Sequence, residues 1–315
     1  MKLNPRPAIQ GNVVIVTGAS SGIGEATARE FAKAGAITVL AARREGRLKR
    51  LEREIEEMGG TALAVPTDLT DLDQITHLVQ TTLETFGRID VLANIAGWAI
   101  YDWLEELSAE ELRRTYEVNI IGLAELTRQV IPAMKKQRSG TILNMSSYVS
   151  RISVPPLTVY ASTKYAVEGL TDGLRRALAP WGIRVIRIHP SSVSGTEFNQ
   201  RVVRSGTVKY KPVPIGRISR ERLARHILGL VEHPRRALFI SRIYEVPVVI
   251  NKLFPEIVDA ISSSWVRRKR KREIPTAEEV TVVEYPRSHS LWPLAGSLLV
   301  LAIASRFWRK KQGRA

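Results

Sequence analysis

Short runs of apolar, mostly β-branched residues recur along this chain at 13–17, 37–42, 62–65, 91–95, 141–145, 185–189 and 237–240. Each run is continuously apolar rather than alternating, which suits strands covered on both faces and not a sheet with one wet face. Helical periodicity fills the intervals, at 23–34, 45–58, 71–86, 108–137, 157–181 and 219–232. Strand and helix therefore alternate strictly, and the pattern predicts an α/β fold with a doubly wound parallel sheet of about seven strands. A domain of that kind takes ~250 residues, so a chain of 315 has an appendage left over.

Charge separates the two parts. The net charge is +16, yet residues 1–199 carry 23 Lys and Arg against 22 Asp and Glu, leaving 24 against 9 for residues 200–315. A nucleic-acid-binding fold builds its basic patch into its own surface, whereas here the excess begins where the alternation runs out. The densest basic run, 267–272, has no interleaved aromatic side chains, so no nucleic-acid partner is expected. The absence of Cys removes disulfides, thiolate nucleophiles and Cys-type zinc sites. His77, His189, His226, His233 and His289 show no metal-ligand spacing, so no metal site is expected.

The first interval opens on a Gly-rich turn, Thr17-Gly18-Ala19-Ser20-Ser21-Gly22-Ile23-Gly24. Between a strand and a helix, such glycines permit a tight turn and a close approach of backbone to a diphosphate. The helix start adds unpaired N–H groups and partial positive charge. A plain strand-to-helix turn looks the same, so the reading as a dinucleotide-phosphate loop depends on residues further along the chain.

The spacing Gly-x-x-x-Gly-x-Gly after a Thr resembles the short-chain dehydrogenase/reductase family, and further motifs of that family stand in its order. Asp68-Leu69 resembles the adenine-contacting pair. Asn94-Ile95-Ala96-Gly97 resembles Asn-Asn-Ala-Gly with a departure at Ile95, and Asn119 resembles the asparagine of the long fourth helix. Ser147 lies 13 residues before Tyr160, and Tyr160-Ala161-Ser162-Thr163-Lys164 matches Tyr-x-x-x-Lys. The resemblance covers about residues 10 to 240 and implies a Rossmann-type catalytic domain over 1–240. Its cofactor contacts would be Gly18, Ser20, Ser21, Gly22, Ile23, Gly24, Asp68, Leu69, Asn94, Ala96, Gly97, Tyr160 and Lys164. It also places the Pro190 loop over the nicotinamide, with Val193 and Thr196 as contacts, although Ser191 replaces the usual Gly and Gly195 shifts Thr196 by one position.

On a helix, residues i and i+4 share a face, so the Lys164 ammonium lies near the Tyr160 phenol. A free Tyr titrates near ~10 and a neighbouring cation favours its phenolate, so Tyr160 is expected to act as general acid and base. Ser147, at the carboxyl end of the fifth strand, is expected to hold the substrate oxygen, with Ser146 as its competitor. Asn119 by resemblance anchors a water of a proton relay; the alternative is a helix-bending Asn bonded to backbone. The second strand ends in Ala42, followed by Arg43 and Arg44. No carboxylate stands there to repel a phosphate, and the arginines suit the 2′-phosphate of NADP(H), the cofactor expected.

Past residue 240 the rhythm fails. Residues 239–261 are apolar but interrupted by Pro247 and Pro255. We read 241–266 as an apolar substrate lid or interfacial segment and 267–287 as a basic run and linker. Residues 288–308 form a candidate transmembrane helix, and 309–315 a basic tail. Between Ser288 and Ser305 no Lys, Arg, Asp or Glu occurs, and Trp292 and Trp308 sit near the segment's ends. A span needs ~20 apolar residues, so this one is short; a helix docked in a protein groove is the alternative. A spanning tail would place Arg309, Lys310, Lys311 and Arg314 on the far side, against the positive-inside tendency, which a helix lying in the cytosolic leaflet avoids. The opening MKLNPRPAIQGN has no apolar stretch, so no secretory leader is expected.

These readings converge on a membrane-associated protein with its catalytic domain on the cytoplasmic side, an anionic membrane surface as partner and a lipophilic small-molecule substrate. The expected function is an NADP-dependent oxidoreductase acting on a hydroxyl or carbonyl carbon. The alternative is a membrane-attached NADP-binding or scaffolding protein without turnover. A homodimer or homotetramer, paired through the long helices, is expected by resemblance alone.

Overall fold

The computed structural model describes residues 9–198 and 216–270. They form β1 (Val13–Thr17), α1 (Gly22–Lys33), β2 (Ile37–Ala42), α2 (Glu45–Glu57), β3 (Thr61–Pro66), α3 (Leu72–Phe86) and β4 (Val91–Asn94). Then come α4 (Ala109–Tyr116), α5 (Gly122–Gln137), β5 (Gly140–Met145), α6 (Thr158–Leu178), β6 (Ile183–His189) and β7 (Val193–Ser194). After the undescribed stretch 199–215 follow β8 (Ile218–Ser219), α7 (Arg220–Glu232), β9 (Ala237–Phe239), α8 (Glu245–Leu253) and α9 (Pro255–Lys269).

Seven strands make one parallel sheet in the order β3-β2-β1-β4-β5-β6-β9, the doubly wound arrangement expected from the alternation. The order reverses between β1 and β4, which opens a crevice at the carboxyl ends of those strands. Period-two alternation sends Val13 and Ile15 of β1 to one face and Val14 and Val16 to the other. On one face Phe31, Leu48, Leu51, Ile55, Leu223 and Ile227 of α1, α2 and α7 close the core. On the other, Ile75, Leu78, Leu126, Val130 and Met134 of α3 and α5 do so. Every residue of β1 is buried, which is why its sequence carries no polar alternation.

Local signals place the helix ends. Asp71 caps α3 by accepting from Asp73 N and Gln74 N, and left-handed Gly87 ends it. Ser108 and Glu111 form a reciprocal capping box at the start of α4.

Two stretches differ from the sequence expectation. The predicted helix 108–137 is interrupted by a π-helical turn over Glu117–Ile121. Asn119 points inward there to bond other segments, and a Cβ on Gly122 would lie 2.1 Å from Leu69 O, so a neighbouring loop presses on the helix at this point. The apolar stretch after 240 folds as two helices. Pro247 lies in the first turn of α8 and Pro255 opens α9, positions where a missing N–H loses no helix hydrogen bond. The short pair β7 and β8, joined at Val193–Ile218, was not legible as strands.

Contacts define a compact unit through Lys269. Residues 271–315, with the linker, the candidate span 288–308 and the basic tail 309–315, lie outside the described residues. Among the described residues no helix is long and apolar enough to cross a membrane.

Candidate active site

Thr17, the last residue of β1, ties the two sides of the crevice together. Its Oγ1 accepts from Ile95 N at 2.9 Å and Ala96 N at 3.0 Å. Gly18 follows at φ +71°, and a Cβ there would lie 3.0 Å from Ala96 Cα. Gly24 packs closer still, since its Cβ would be 2.3 Å from Gly18 O. Ser21 precedes α1 in extended conformation, and no side chain caps the first turn. Backbone N–H groups at the start of a twelve-residue helix therefore face the crevice, with Gly22 at φ +60° beside them and Ile23 packed on the core below. This glycine cradle and uncapped helix start fit a dinucleotide diphosphate.

The arginines after β2 gather beside that loop. Arg44 donates to Ser20 Oγ from Nε at 3.0 Å and from Nη2 at 2.8 Å, and to Ser21 Oγ from Nη2 at 2.7 Å. Arg43 Nη1 lies 3.7 Å from Asp68 Oδ2, while Asp68 Oδ1 accepts from Thr70 N and Oγ1 at 3.0 Å each. Leu69 is buried beneath. Asn94 does not join this group through its side chain. Its buried Nδ2 donates to Thr127 Oγ1 at 3.1 Å and Asn144 Oδ1 at 2.9 Å, bracing β4 against β5 and α5. The following Ala96 and Gly97 do reach the crevice, Ala96 against Gly18.

Lys164 and Tyr160 lie on α6. Lys164 is only 2% exposed, and its Nζ donates to Met145 O at 2.9 Å and lies 5.6 Å from the centre of the Tyr160 ring. Burial pushes its pKa down to about 8, opposed in part by the charge of Glu168 one turn on. Asn119 and Lys164 converge on Gly97: a Cβ there would lie 3.6 Å from Asn119 Oδ1 and 3.8 Å from Lys164 Nζ. The Asn119 side chain accepts from Trp98 N at 2.8 Å and donates to Trp98 O at 2.8 Å and Thr163 Oγ1 at 3.0 Å.

The two serines after β5 divide. Ser146 is buried, with its hydroxyl 3.1 Å from Ser150 Oγ, whereas Ser147 is half-buried and, among the described residues, its hydroxyl accepts a long contact from Val149 N at 3.4 Å. The open hydroxyl is thus that of Ser147. His189 Nδ1, 3.2 Å from Ser147 O, braces the backbone here, and burial pushes its imidazole pKa down. Past Pro190, Val193 pairs in β7, and Thr196 packs 3.4 Å from where a Gly22 side chain would begin.

Aromatic side chains that the motifs did not indicate wall this site. Tyr160 packs in a cluster with Ala99, Tyr101, Trp103, Leu157, Trp265 and Val266. The Trp103 and Trp265 rings are 6.2 Å apart, and Phe198 lies 6.0 Å from the Tyr160 ring. Arg47 was legible in principle, one helical turn after Arg44. Its partner Glu197, 150 positions away, was not. A surface hollow of about 460 Å³ lined by Gln10, Lys33, Met58 and Thr61, at the opposite edge of the strands, includes none of these groups.

The sequence profile of the short chain dehydrogenase family matches residues 12–205. The 3-oxoacyl-[acyl-carrier-protein] reductase FabG of Thermotoga maritima is 34% identical over 223 residues, covering 70% of this chain and 91% of that protein. Among solved structures, a 3-ketoacyl-(acyl-carrier-protein) reductase from Brucella melitensis complexed with NADH superposes with a TM-score of 0.65 at 31% identity, over 73% of this chain and 96% of the other. A metagenomic short-chain oxidoreductase in complex with NADP gives 0.62 at 29% identity, over 74% and 96%. With the sheet order, the glycine cradle and these similarities together, the chain belongs to the short chain dehydrogenase family and is an NAD(P)-dependent dehydrogenase/reductase.

Proposed function

We propose that this protein is an NADP-dependent oxidoreductase acting on a hydroxyl or carbonyl carbon of a lipophilic substrate, with Tyr160 as general acid and base. The observation that carries the reading is the buried Lys164 ammonium beside the Tyr160 ring. A pKa of about 8 keeps Lys164 mostly protonated at pH 7, and its charge favours the Tyr160 phenolate. The dinucleotide, when bound, supplies or accepts the hydride. Tyr160 moves the proton at the substrate oxygen, and Ser147 Oγ holds that oxygen by a hydrogen bond. The loop from Gly18 to Gly24 would hold the diphosphate, Asp68 and Leu69 the adenine, and Ala96, Gly97, Pro190, Val193 and Thr196 the nicotinamide half.

Preference for NADP over NAD is supported by the arginines. Arg44 bonds Ser20, Arg43 pairs with Asp68, and Ala42 stands where an acid would repel the phosphate. A lipophilic substrate is supported by the walls, because Tyr101, Trp103, Leu157, Trp265 and Val266 share an apolar cluster with Tyr160 and the Phe198 ring lies 6.0 Å from its ring.

Attachment to an anionic, cytoplasm-facing membrane surface is supported by the apolar side chains exposed along α8 and the first half of α9. Val246, Val249, Ile250 and Leu253 repeat at helical spacing on the exposed face of α8, and exposed apolar residues continue through Phe254 at the junction to Ile257 and Ile261 of α9. Leu253 and Ile261 are 65% and 66% exposed. The basic residues Arg267, Arg268 and Lys269 close α9. Substrate dissolved in lipid would then meet the site beside α9, whose Trp265 and Val266 help to wall it.

The test of the chemistry is Tyr160→Phe. It should retain NADPH binding while turnover falls ~10²- to 10⁴-fold, the range of a lost general acid; retained turnover would refute the assigned role. A panel of carbonyls graded by chain length tests the substrate class, and exclusive reduction of small water-soluble members would sink the lipophilic reading.

A further inference from the structure

Glu197 lies where the segment after β7 crosses the Gly-rich loop, and its carboxylate engages two guanidinium groups. Oε2 is 3.1 Å from Arg44 Nη1 and Oε1 is 2.7 Å from Arg47 Nη1. The same Arg44 donates to the hydroxyls of Ser20 and Ser21. Two arginines and two hydroxyls at a helix start form a donor set suited to a phosphate, and here a side-chain carboxylate of the chain itself occupies it. The flanking residues connect this corner to the catalytic one. Thr196 packs against Gly22, and Phe198 lies with its ring 6.0 Å from that of Tyr160.

We infer that Glu197 is an internal stand-in for the 2′-phosphate of the cofactor, holding the segment of residues 196–198 across the site until that phosphate displaces it. The inference rests on the NADP reading of the site and adds a residue that determines specificity. A carboxylate carries one charge and two acceptor oxygens, whereas a phosphate monoester carries nearly two charges and three oxygens. The Arg44, Arg47 and Glu197 side chains are each about one-third exposed, so the ion pairs are weak enough to exchange. The neutral 2′-hydroxyl of NAD has no charge with which to displace Glu197. An NAD complex therefore leaves Phe198 against Tyr160, and an NADP complex releases it. Discrimination is then expressed in access to Tyr160 as well as in affinity.

The test uses the full chain with 2′,5′-ADP and 5′-AMP as probes, binding read by calorimetry. Glu197→Gln, which keeps size and removes charge, should tighten 2′,5′-ADP binding ~3- to 10-fold, the size of two partly exposed ion pairs, and leave 5′-AMP unchanged. In the wild type, hydrogen exchange across 193–198 should rise with 2′,5′-ADP and not with 5′-AMP. If the wild type prefers 2′,5′-ADP and Glu197→Gln leaves that preference unchanged or weakens it, the role of Glu197 is overturned while the NADP reading stands. If neither protein prefers 2′,5′-ADP, the NADP reading falls and this inference with it. A preference that appears only in Glu197→Gln supports the competition directly.

Discussion

Lys164 is the side chain whose function and stability pull hardest against each other. Its folded pKa of about 8 lies below the ordinary 10.5. Between those values the unfolded chain holds the proton and the folded chain does not, so stability rises with pH through that window. The penalty for burying the charge, ~3 kcal/mol, is fully present below pH 8. Lys164→Met removes it but orphans Met145 O, at ~1–3 kcal/mol. We therefore expect an inactive variant within ~2 kcal/mol of the wild type at pH 7. Urea titrations from pH 7 to 10 should show the wild type gaining on the variant above pH 8; a constant difference would show that no buried charge is being relieved. Much of this site was legible because its chemistry is written as short spacings on single elements: Tyr160 with Lys164, Ser147 before the turn, and the glycines of one loop. Asn94 shows the limit. Its motif position pointed to the cofactor, but no spacing in the sequence announced the bonds of its Nδ2 to Thr127 on α5 and Asn144 on β5.

At the scale of elements, the Gly-rich loop and the π-helical turn do the positioning, and both depend on backbone approaching backbone. A Cβ at Gly122 would lie 2.1 Å from Leu69 O, so Gly122→Ala must push the Asp68–Leu69 loop away from α5. We expect a loss of ~1–3 kcal/mol or more in thermal or urea denaturation, together with weaker binding of 5′-AMP as the adenine-side loop moves. Gly229 in α7 is the counterpart, with nothing within 4 Å of its would-be Cβ. Gly229→Ala should stabilise by ~0.5–1 kcal/mol. Both are glycines in helical periodicity, and the sequence cannot tell them apart. Periodicity likewise located the helix 108–137 but not its interruption, because the cause is a loop after β3 and the Trp98 backbone, distant in sequence.

For the whole molecule, the division of charge and the outward apolar stripe lead to one prediction about attachment. The full chain should co-sediment with vesicles containing phosphatidylserine at low salt, and Leu253→Glu with Ile261→Glu should weaken that binding by two orders of magnitude or more, since each removes ~1.5–3 kcal/mol of apolar burial. Unchanged binding would move the attachment away from α8 and α9, and deletion of 288–315 would then show whether the tail holds it. Light scattering separately tests the expected homodimer or homotetramer, which a monomer at micromolar concentration would contradict. By itself the sequence determined the alternation of strands and helices, the two-sided burial of the sheet and the family, because each is encoded in spacings of a few residues along one element. Only the tertiary structure decided that Glu197 meets Arg44 and Arg47, that Trp265 closes on Trp103 beside Tyr160, and that Asn94 braces the sheet. Those contacts join residues tens to more than a hundred positions apart, and the path of the folded backbone alone brings them within reach of one another.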